Sequence, residues 1–340
     1  MSSSSTERNN QRPAPAIAGP VVVTGAGGFI GRALSDRLTA LGVEVRGVDL
    51  IADPARGIRQ GDTRHPEQFA DVLEGASAVV HTAATVSNVA PLDQAWEVNV
   101  LGTARTMQAA ADAGVGHFIH LSSIAAFGHD FPPDVTEEHP PKVEGHSYAD
   151  TKVNGEAVVL AAHASGRIPT TVIRPGDVYG PGSRPWVLIP LQMLRSGQAV
   201  LPMRGQGIFT PTYIDNLVDA LVLTLGEPAA RGQVITVTDG VGVTCQDYFD
   251  RIAAMIGKRV RTVPGTAMVP VAGALGALQR RFGRESELNQ ASMKMLMRRN
   301  TYSIEKARTL LGYRPVVDLD EGMARVRIWL VEQGLVGADG

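Results

Sequence analysis

The sequence has almost no cysteine, no long apolar run and no excess of positive charge. Its one cysteine, Cys245, cannot form an internal disulfide, which excludes a disulfide-rich secreted domain and predicts a reducing, cytoplasmic location. The nearest candidate for a membrane segment, residues 264–278, is uncharged but interrupted by glycine and proline. It falls short of the ~20 apolar residues that span a bilayer. Lys and Arg total 32 against 34 Asp and Glu, and the charges are interspersed, which argues against a nucleic-acid partner.

Glycine, in contrast, is abundant, with 37 residues in 340, or about 11% against the ~7% of average proteins. No collagen-like repeat accounts for the excess. We therefore expect individual glycines to have local backbone roles.

Short apolar runs and helical patterns alternate along most of the chain. Residues 1–19 are rich in Ser, Asn and Pro and lack the apolar core of a signal peptide, which predicts a disordered tail. Over residues 20–180 the alternation predicts an α/β fold, a Rossmann-type doubly wound parallel sheet with helices on both faces. Residues 181–340 predict a smaller, mainly helical portion that binds the substrate, from which a segment at about 212–240 returns to the first domain.

The first chemical signal is a glycine-rich turn within residues 21–31. Gly25, Gly28 and Gly31 follow a β-branched strand and open a helix in a G-x-x-G-x-x-G pattern. Such glycines allow a tight turn and let backbone N–H groups approach a pyrophosphate at the positive end of the helix. The turn predicts a dinucleotide site, with a ligand-free glycine-rich turn as the alternative.

Acidic residues after the next strands bear on the expected cofactor. Asp49 suits the hydroxyls of the adenosine ribose and would repel a 2′-phosphate, so NAD is predicted rather than NADP. Arg32 and Arg46 lie nearby in the sequence and stay open as phosphate partners. Asp62, with Thr63 beside it, is a candidate contact for the adenine edge, although an Asp in a turn is also ordinary.

A second constellation pairs Tyr148 with Lys152, four residues apart on one face of a predicted helix. A free tyrosine has a pKa of about 10, and an ammonium one turn away is expected to lower that pKa so that the phenolate can act as a base. Lys152 is also expected to bind the nicotinamide ribose. Ser123, at the end of a predicted strand, can hold a carbonyl oxygen beside Tyr148. Ser122 is the competing choice, and turn capping or a surface Tyr/Lys pair are the ordinary alternatives.

Taken together, these motifs resemble the extended short-chain dehydrogenase/reductases, the superfamily of NAD-dependent epimerases and dehydratases, over nearly all of residues 20–335. Segments in 180–184 and 209–216 are similar to the branch with 3β-hydroxysteroid dehydrogenases and sterol-4-carboxylate 3-dehydrogenases. The resemblance implies Ser123 as the catalytic serine and a homodimer packed through helices at about 92–113 and 147–163. It also implies further cofactor contacts. These are Phe29, Ile30, Ala83, Ala84, Asn99, Ser122 and Pro175, together with Tyr148 and Lys152.

One departure from the family pattern and one apolar segment bear on the substrate. Sugar-nucleotide epimerases and dehydratases generally carry Asn where this chain has Asp177, and a carboxylate there would repel a diphosphate. The apolar run at 268–278 and the nearby Met293, Met295 and Met297 favour a lid over an apolar substrate or a surface membrane contact, with ordinary core as the alternative.

The predicted function is an NAD-dependent oxidoreductase that interconverts a secondary alcohol and a ketone on an apolar small molecule such as a 3β-hydroxysteroid. The alternative is a nucleotide-sugar 4-epimerase or dehydratase with tightly bound NAD. A cofactor-sensing protein is a third hypothesis, against which the intact Tyr148 and Lys152 argue, since a sensor needs no proton-transfer pair. No metal site is predicted.

Overall fold

The structure is a computed structural model that describes residues 15–265, 268–283 and 290–337, so most of the predicted tail lies outside the described residues. Its strands, in chain order, are β1 (Val21–Thr24), β2 (Val45–Asp49), β3 (Ile58–Gln60), β4 (Ala78–His81), β5 (Phe118–Leu121), β6 (Thr170–Pro175), β7 (Asp177–Tyr179), β8 (Val200–Leu201), β9 (Ile208–Phe209), β10 (Pro211–Tyr213), β11 (Val234–Val237), β12 (Val243–Thr244) and β13 (Arg261–Thr262). Its α-helices, in chain order, are α1 (Phe29–Ala40), α2 (Ala70–Leu73), α3 (Leu92–Trp96), α4 (Thr103–Asp112), α5 (Ser147–Ala164), α6 (Ile189–Arg195), α7 (Ile214–Leu225), α8 (Cys245–Ala254), α9 (Met268–Arg281), α10 (Gln290–Met295) and α11 (Leu319–Glu332).

Seven of the strands form one parallel sheet in the order β11-β6-β5-β4-β1-β2-β3. Strand β1 lies between β2 and β4, with Val21 opposite both Val45 and Ala78. The chain first builds outwards to β3 and then returns to build the other side from β4, so the strand order reverses between β1 and β4. In such sheets a crevice for ligands forms at the carboxyl ends of the strands where the order reverses. The predicted doubly wound parallel sheet is confirmed.

The sheet is covered on both faces, which is why its strands appear in the sequence as continuous apolar runs. Val21, Val22 and Val23 are fully buried. One apolar cluster packs α1 and α7 against one face, and a second packs α2, α4 and α5 against the other.

Two helices differ from their predicted bounds. The helix predicted at about 92–113 is a continuous run of α3, a π-helical segment at Glu97–Gly102 and α4. The apolar pattern over residues 212–225 also predicts a helix, but this helix, α7, begins at Ile214, because the preceding Pro211–Tyr213 pairs as strand β10 with β7. A pattern of apolar residues does not distinguish a strand that leads directly into a helix from the helix itself.

Beyond residue 180 the chain forms short strand pairs and helices, with one exception. Strand β11 lies at the edge of the main sheet, where Val234 pairs with Val172 of β6. The division into a cofactor domain at 20–180 and a substrate portion at 181–340 stays a prediction. Among the described residues, no helix is both long enough and apolar enough to cross a membrane.

Candidate active site

A cavity of about 1920 Å³ opens at the carboxyl edge of the main sheet. Pockets for one small molecule usually have ~300–1,000 Å³, so this cavity has room for a dinucleotide and a second molecule. Most residues predicted for the site line it. They are Gly25, Gly28, Phe29, Ile30, Gly31, Asp49, Asp62, Thr63, Ala83, Ala84, Ser122, Ser123, Tyr148, Lys152 and Pro175.

The glycine turn between β1 and α1 has the backbone that the sequence predicts. Gly25 has a φ of +71°, and a Cβ at Gly31 would lie 2.1 Å from the carbonyl oxygen of Gly25. Helix α1 starts after Gly28, which has no side chain to cap it. The first backbone N–H groups of the helix, at Phe29 and Ile30, therefore lack helical acceptors and lie at the cavity wall. This cradle fits the pyrophosphate of a dinucleotide.

Asp49 is held at the end of β2 by two backbone donors. Its Oδ2 accepts the N–H of Gly27 at 2.9 Å, and its Oδ1 accepts the N–H of Leu50 at 2.7 Å. Of the two arginines left open, Arg46 donates to carbonyl oxygens at the end of α2. Arg32 lines the cavity and donates to the carbonyl oxygen of Gly27 at 3.3 Å.

Asp62 lies at the cavity wall, but its carboxylate already has a partner. The guanidinium of Arg64 donates to both carboxylate oxygens, and this hydrogen bond lowers the pKa of Asp62. Thr63 is buried beside it and accepts the Thr106 hydroxyl through its carbonyl oxygen at 3.2 Å. Any contact of Asp62 with an adenine would thus be made by an ion-paired carboxylate.

Asn99 is the predicted contact that does not line the cavity. Its side chain bonds both backbone groups of Thr85, accepting the N–H at 2.7 Å and donating to the carbonyl at 3.1 Å. It also donates to the Thr151 hydroxyl at 3.0 Å. With the side chain 2% exposed and its polar atoms engaged, Asn99 fixes the loop after β4 to helix α5.

Ser123, Tyr148 and Lys152 come together beside the glycine turn. Ser123 follows β5 and accepts the N–H of Ala125 at 3.1 Å, and its hydroxyl lies close enough to the side chain of Tyr148 to lower the pKa of that tyrosine. Lys152 is one turn further along α5, and its Nζ donates to the carbonyl oxygen of Leu121 at 2.9 Å. The Nζ lies 5.9 Å from the centre of the Tyr148 ring.

The neighbouring Ser122 has a different role, because a buried ion pair engages it. Its hydroxyl donates to Glu156 Oε1 at 2.5 Å, and Glu156 also accepts two bonds from Arg174, at 2.8 and 2.6 Å. Both charged side chains are 2% exposed. The geometry therefore favours Ser123 over Ser122 as the serine next to Tyr148. Sequence reasoning missed Glu156, although its position four residues after Lys152 on the same helix was a usable signal.

Burial shifts the pKa of both groups of the Tyr/Lys pair. It raises the pKa of Tyr148, against the lowering effect of the Ser123 hydrogen bond, and the charge of Asp177 raises it further. Burial lowers the pKa of Lys152 to about 8, and the charge of Glu156 opposes that shift. The sequence predicts a lowered tyrosine pKa, whereas burial raises that pKa in this structure.

A second buried ion pair lies at the cavity wall. Asp177 and Arg298 are each 5% exposed, and Asp177 Oδ2 also accepts the N–H of Thr210 at 2.9 Å. The repulsion predicted between Asp177 and a diphosphate is thereby weakened, because Arg298 offsets the carboxylate charge. Arg298 follows α10, far from Asp177 in sequence, and no local pattern indicated it.

Besides polar side chains such as Arg184, Gln192 and Gln198, the cavity is lined by a set of apolar side chains. They are Trp186, Ile189, Met193, Leu201, Phe249, Met293, Met295 and Leu296. Of the three methionines singled out in the sequence, Met297 does not line the cavity. An apolar wall next to a few polar groups is the usual form of a site for a largely hydrocarbon molecule.

Comparison with known proteins places these features in a wider group. The model of the NAD dependent epimerase/dehydratase family matches residues 21–237. The 3beta-hydroxysteroid-dehydrogenase/decarboxylase isoform 1 of Arabidopsis thaliana is 28% identical, over 89% of this chain and 78% of the relative. The 2-alkyl-3-oxoalkanoate reductase of Stenotrophomonas maltophilia (strain K279a) is 27% identical, over 90% of this chain and 98% of the relative. The solved structure of MoeE5 in complex with UDP-glucose and NAD is 26% identical, with a TM-score of 0.75, over 93% of this chain and 99% of that one.

Proposed function

The chain belongs to the NAD dependent epimerase/dehydratase family, and from that premise we propose that it interconverts a secondary alcohol and a ketone on an apolar small molecule, with NAD as the hydride carrier. The single observation that carries this choice of substrate is the apolar wall beside Ser123 and Tyr148. The two relatives support it, because both are named for a hydroxyl or oxo group on a largely hydrocarbon body.

Bound NAD, or its reduced form, accepts or supplies the hydride. The glycine turn and the start of α1 would hold its pyrophosphate, and Asp49 the hydroxyls of its adenosine ribose. Lys152, buried beside the Tyr148 ring, would donate to the nicotinamide ribose. Asp49 in this position favours NAD over NADP.

Tyr148 would transfer the proton at the substrate oxygen. In ketone reduction, its hydroxyl donates a proton to the oxygen as the carbon receives the hydride, and in alcohol oxidation the phenolate takes that proton back. Ser123 would hold the same oxygen in place through its hydroxyl. Since burial raises the pKa of Tyr148, the hydroxyl is protonated at neutral pH, which suits reduction.

The second candidate is a nucleotide-sugar 4-epimerase or dehydratase, which the likeness to MoeE5 in complex with UDP-glucose and NAD favours. The apolar wall argues against it, because a sugar nucleotide needs hydrogen-bonding partners for its hydroxyls, and Arg298 is already engaged by Asp177. An epimerase oxidises and reduces the same substrate in one cycle and therefore releases no net NADH.

The test is the absorbance of NADH during incubation with a 3β-hydroxysteroid, with a 2-alkyl-3-oxoalkanoate and with UDP-glucose. We expect turnover with one of the first two and none with UDP-glucose. Tyr148→Phe should lower kcat by ~10²–10⁴-fold while NAD still binds. Unchanged turnover in Tyr148→Phe would contradict the proposal. So would epimerisation of UDP-glucose without net formation of NADH.

The homodimer and the cytoplasmic location belong to the same proposal. Helices α4 and α5 pack side by side on one face of the sheet. Their outer surfaces, together with α3, are the expected dimer contact. Light scattering of the purified protein should give twice the mass of 36.0 kDa.

A further inference from the structure

Helix α9 carries its large apolar side chains on the outside. Val271, Leu275, Leu278 and Phe282 are 52%, 43%, 51% and 74% exposed. Phe282 continues the last turn, because its N–H donates to the carbonyl oxygen of Leu278 at 3.2 Å. At 3.6 residues per turn these four positions fall within about 60° of the helix circumference and form one stripe. Within the run at 268–278, the alternative of ordinary core is therefore wrong for Val271, Leu275 and Leu278.

The inner face of the same helix is small. Gly276 is buried, and a Cβ at Gly273 would lie 3.1 Å from Gln290 Cγ, so α10 packs closely against this face. A helix of a water-soluble fold normally has the reverse arrangement, with bulky residues inside and polar residues outside. Within the described residues, much of the outward stripe is therefore left uncovered by this chain.

The charge of the surrounding sequence is strongly one-sided. From residue 251 to residue 284 there is no Asp or Glu, in a protein whose net charge is −2. The same stretch contains seven basic residues, namely Arg251, Lys258, Arg259, Arg261, Arg280, Arg281 and Arg284. Arg259, Arg261 and Arg281 are exposed, and within the described part of the chain none of them forms an ion pair with a carboxylate. Positive charge close in sequence to an apolar stripe matches an anionic, partly apolar surface.

Helix α9 also borders the cavity. Gln279 lines the cavity and donates to Gln198, another lining residue, at 3.5 Å. The next helix, α10, contributes Met293 and Met295 to the apolar wall. A surface that receives the stripe would therefore lie next to the side of the cavity with the apolar wall.

We propose that the stripe of α9 and the basic residues around it dock this protein on an anionic lipid surface, with Leu275, Leu278 and Phe282 entering the headgroup region. A second copy of the chain is a poorer occupant, because a two-fold contact would bring the two basic stretches together. Four side chains also offer little area compared with the roughly 1,200–2,000 Å² that stable protein interfaces usually bury. The docking does not depend on the proposed reaction.

The experiment is sedimentation of the full-length protein with vesicles. We expect binding to vesicles of equal parts phosphatidylglycerol and phosphatidylcholine, weaker binding to phosphatidylcholine alone, and loss of binding as salt is raised. Leu278→Ser/Phe282→Ser should reduce binding by about tenfold or more. Val316→Ser/Ile328→Ser is the matched control, because it removes two exposed apolar side chains (50% and 59%) elsewhere and should bind like wild type.

A second readout does not depend on removing side chains. In Phe282→Trp, the tryptophan fluorescence should shift to shorter wavelength with the anionic vesicles and stay unchanged with phosphatidylcholine alone. Equal binding to both vesicle types, or equal binding by wild type and Leu278→Ser/Phe282→Ser, would overturn the proposal. A third contrary result would be a wild type that self-associates but does not bind vesicles. If Leu278→Ser/Phe282→Ser abolished that self-association, the stripe would be a protein interface.

Discussion

Asp177 and Arg298 are 121 positions apart in the sequence and form an ion pair in which each side chain is only 5% exposed. The pair joins the start of β7 to the segment after α10, at the wall of the cavity that Tyr148 also lines. The field of Asp177 reaches Tyr148, whose pKa it helps to raise. This contact thus connects the segment after α10 to the proposed proton donor.

Breaking this pair should strongly destabilise the protein. Asp177→Ala leaves a buried guanidinium without its partner, and we expect the free energy of unfolding to fall by ~3–5 kcal/mol in urea titrations. Asp177→Ala/Arg298→Met should lose less than the sum of the two single variants, since it leaves no unpaired charge. Glu321→Ala, which breaks an exposed pair with Arg325, is the control and should cost less than ~1 kcal/mol. Additive losses would show that the pair does not act as a unit.

The two adjacent serines should separate activity from stability. Ser123→Ala removes the hydroxyl next to Tyr148 and should lower kcat by ~10–100-fold. Ser122→Ala removes a donor to the buried Glu156 and should lower the free energy of unfolding by ~1–2 kcal/mol, with kcat close to wild type. Steady-state kinetics and urea unfolding of the two variants give the comparison. The reverse ranking of the two kcat values would assign the role to Ser122.

Replacing Asp49 should change cofactor preference. Asp49→Ala removes the acceptor expected for the ribose hydroxyls and the negative charge that repels a 2′-phosphate, so the Kd for NAD should rise more than the Kd for NADP. Asp49→Asn is the matched control, since it keeps an acceptor for the Gly27 N–H and removes only the charge. Fluorescence titrations with both cofactors measure the ratio, and a larger loss for NADP would contradict the cofactor assignment.

His81 should make the protein sensitive to acid. Burial lowers its pKa to about 3, with a further contribution from the charge of Lys152. Between the unfolded value of about 6.5 and the folded value of about 3, the unfolded chain binds a proton that the folded chain does not. The free energy of unfolding therefore falls as the pH drops through this window.

The test is the slope of that pH dependence in urea unfolding. His81→Asn should have a slope shallower than wild type by ~1 kcal/mol per pH unit between about pH 6 and pH 4. His65→Asn, at an exposed histidine, is the control and should keep the slope of the wild type. Identical slopes in His81→Asn and wild type would show that His81 already binds its proton in the folded state.

The sequence predicted best those features that a short segment determines. The glycine turn, the strand before it and Asp49 lie within thirty residues, approximately the length of one βαβ unit, and their spacing reflects backbone geometry. The Tyr148–Lys152 pair is similarly local, since one helix places both side chains. Asp177–Arg298 and the engagement of Ser122 by Glu156 depend on contacts between distant segments, which no window of sequence contains.

The depth at which a side chain is buried is the second property that the sequence did not predict. The shift of the Tyr148 pKa depends on how deeply the tyrosine lies among its neighbours, and the spacing to Lys152 carries no information about that depth. For the run at 268–278, the sequence likewise did not predict which side chains are buried. Apolar composition alone does not indicate whether a helix turns its large side chains inwards, and in α9 the glycines take the inner face.

The position of β11 has a consequence for how the chain is made. The sheet gains its last strand only when Val234–Val237 pairs with β6, although β6 itself is complete at residue 175. A nascent chain that has emerged only to about residue 200 would present β6 as an open edge, and β6 is apolar and buried in the finished fold. Open edges of this kind pair with other chains, so the growing polypeptide is prone to aggregate until residue 237 is available. Any shortened version of this protein that is to fold by itself must therefore extend at least to that strand.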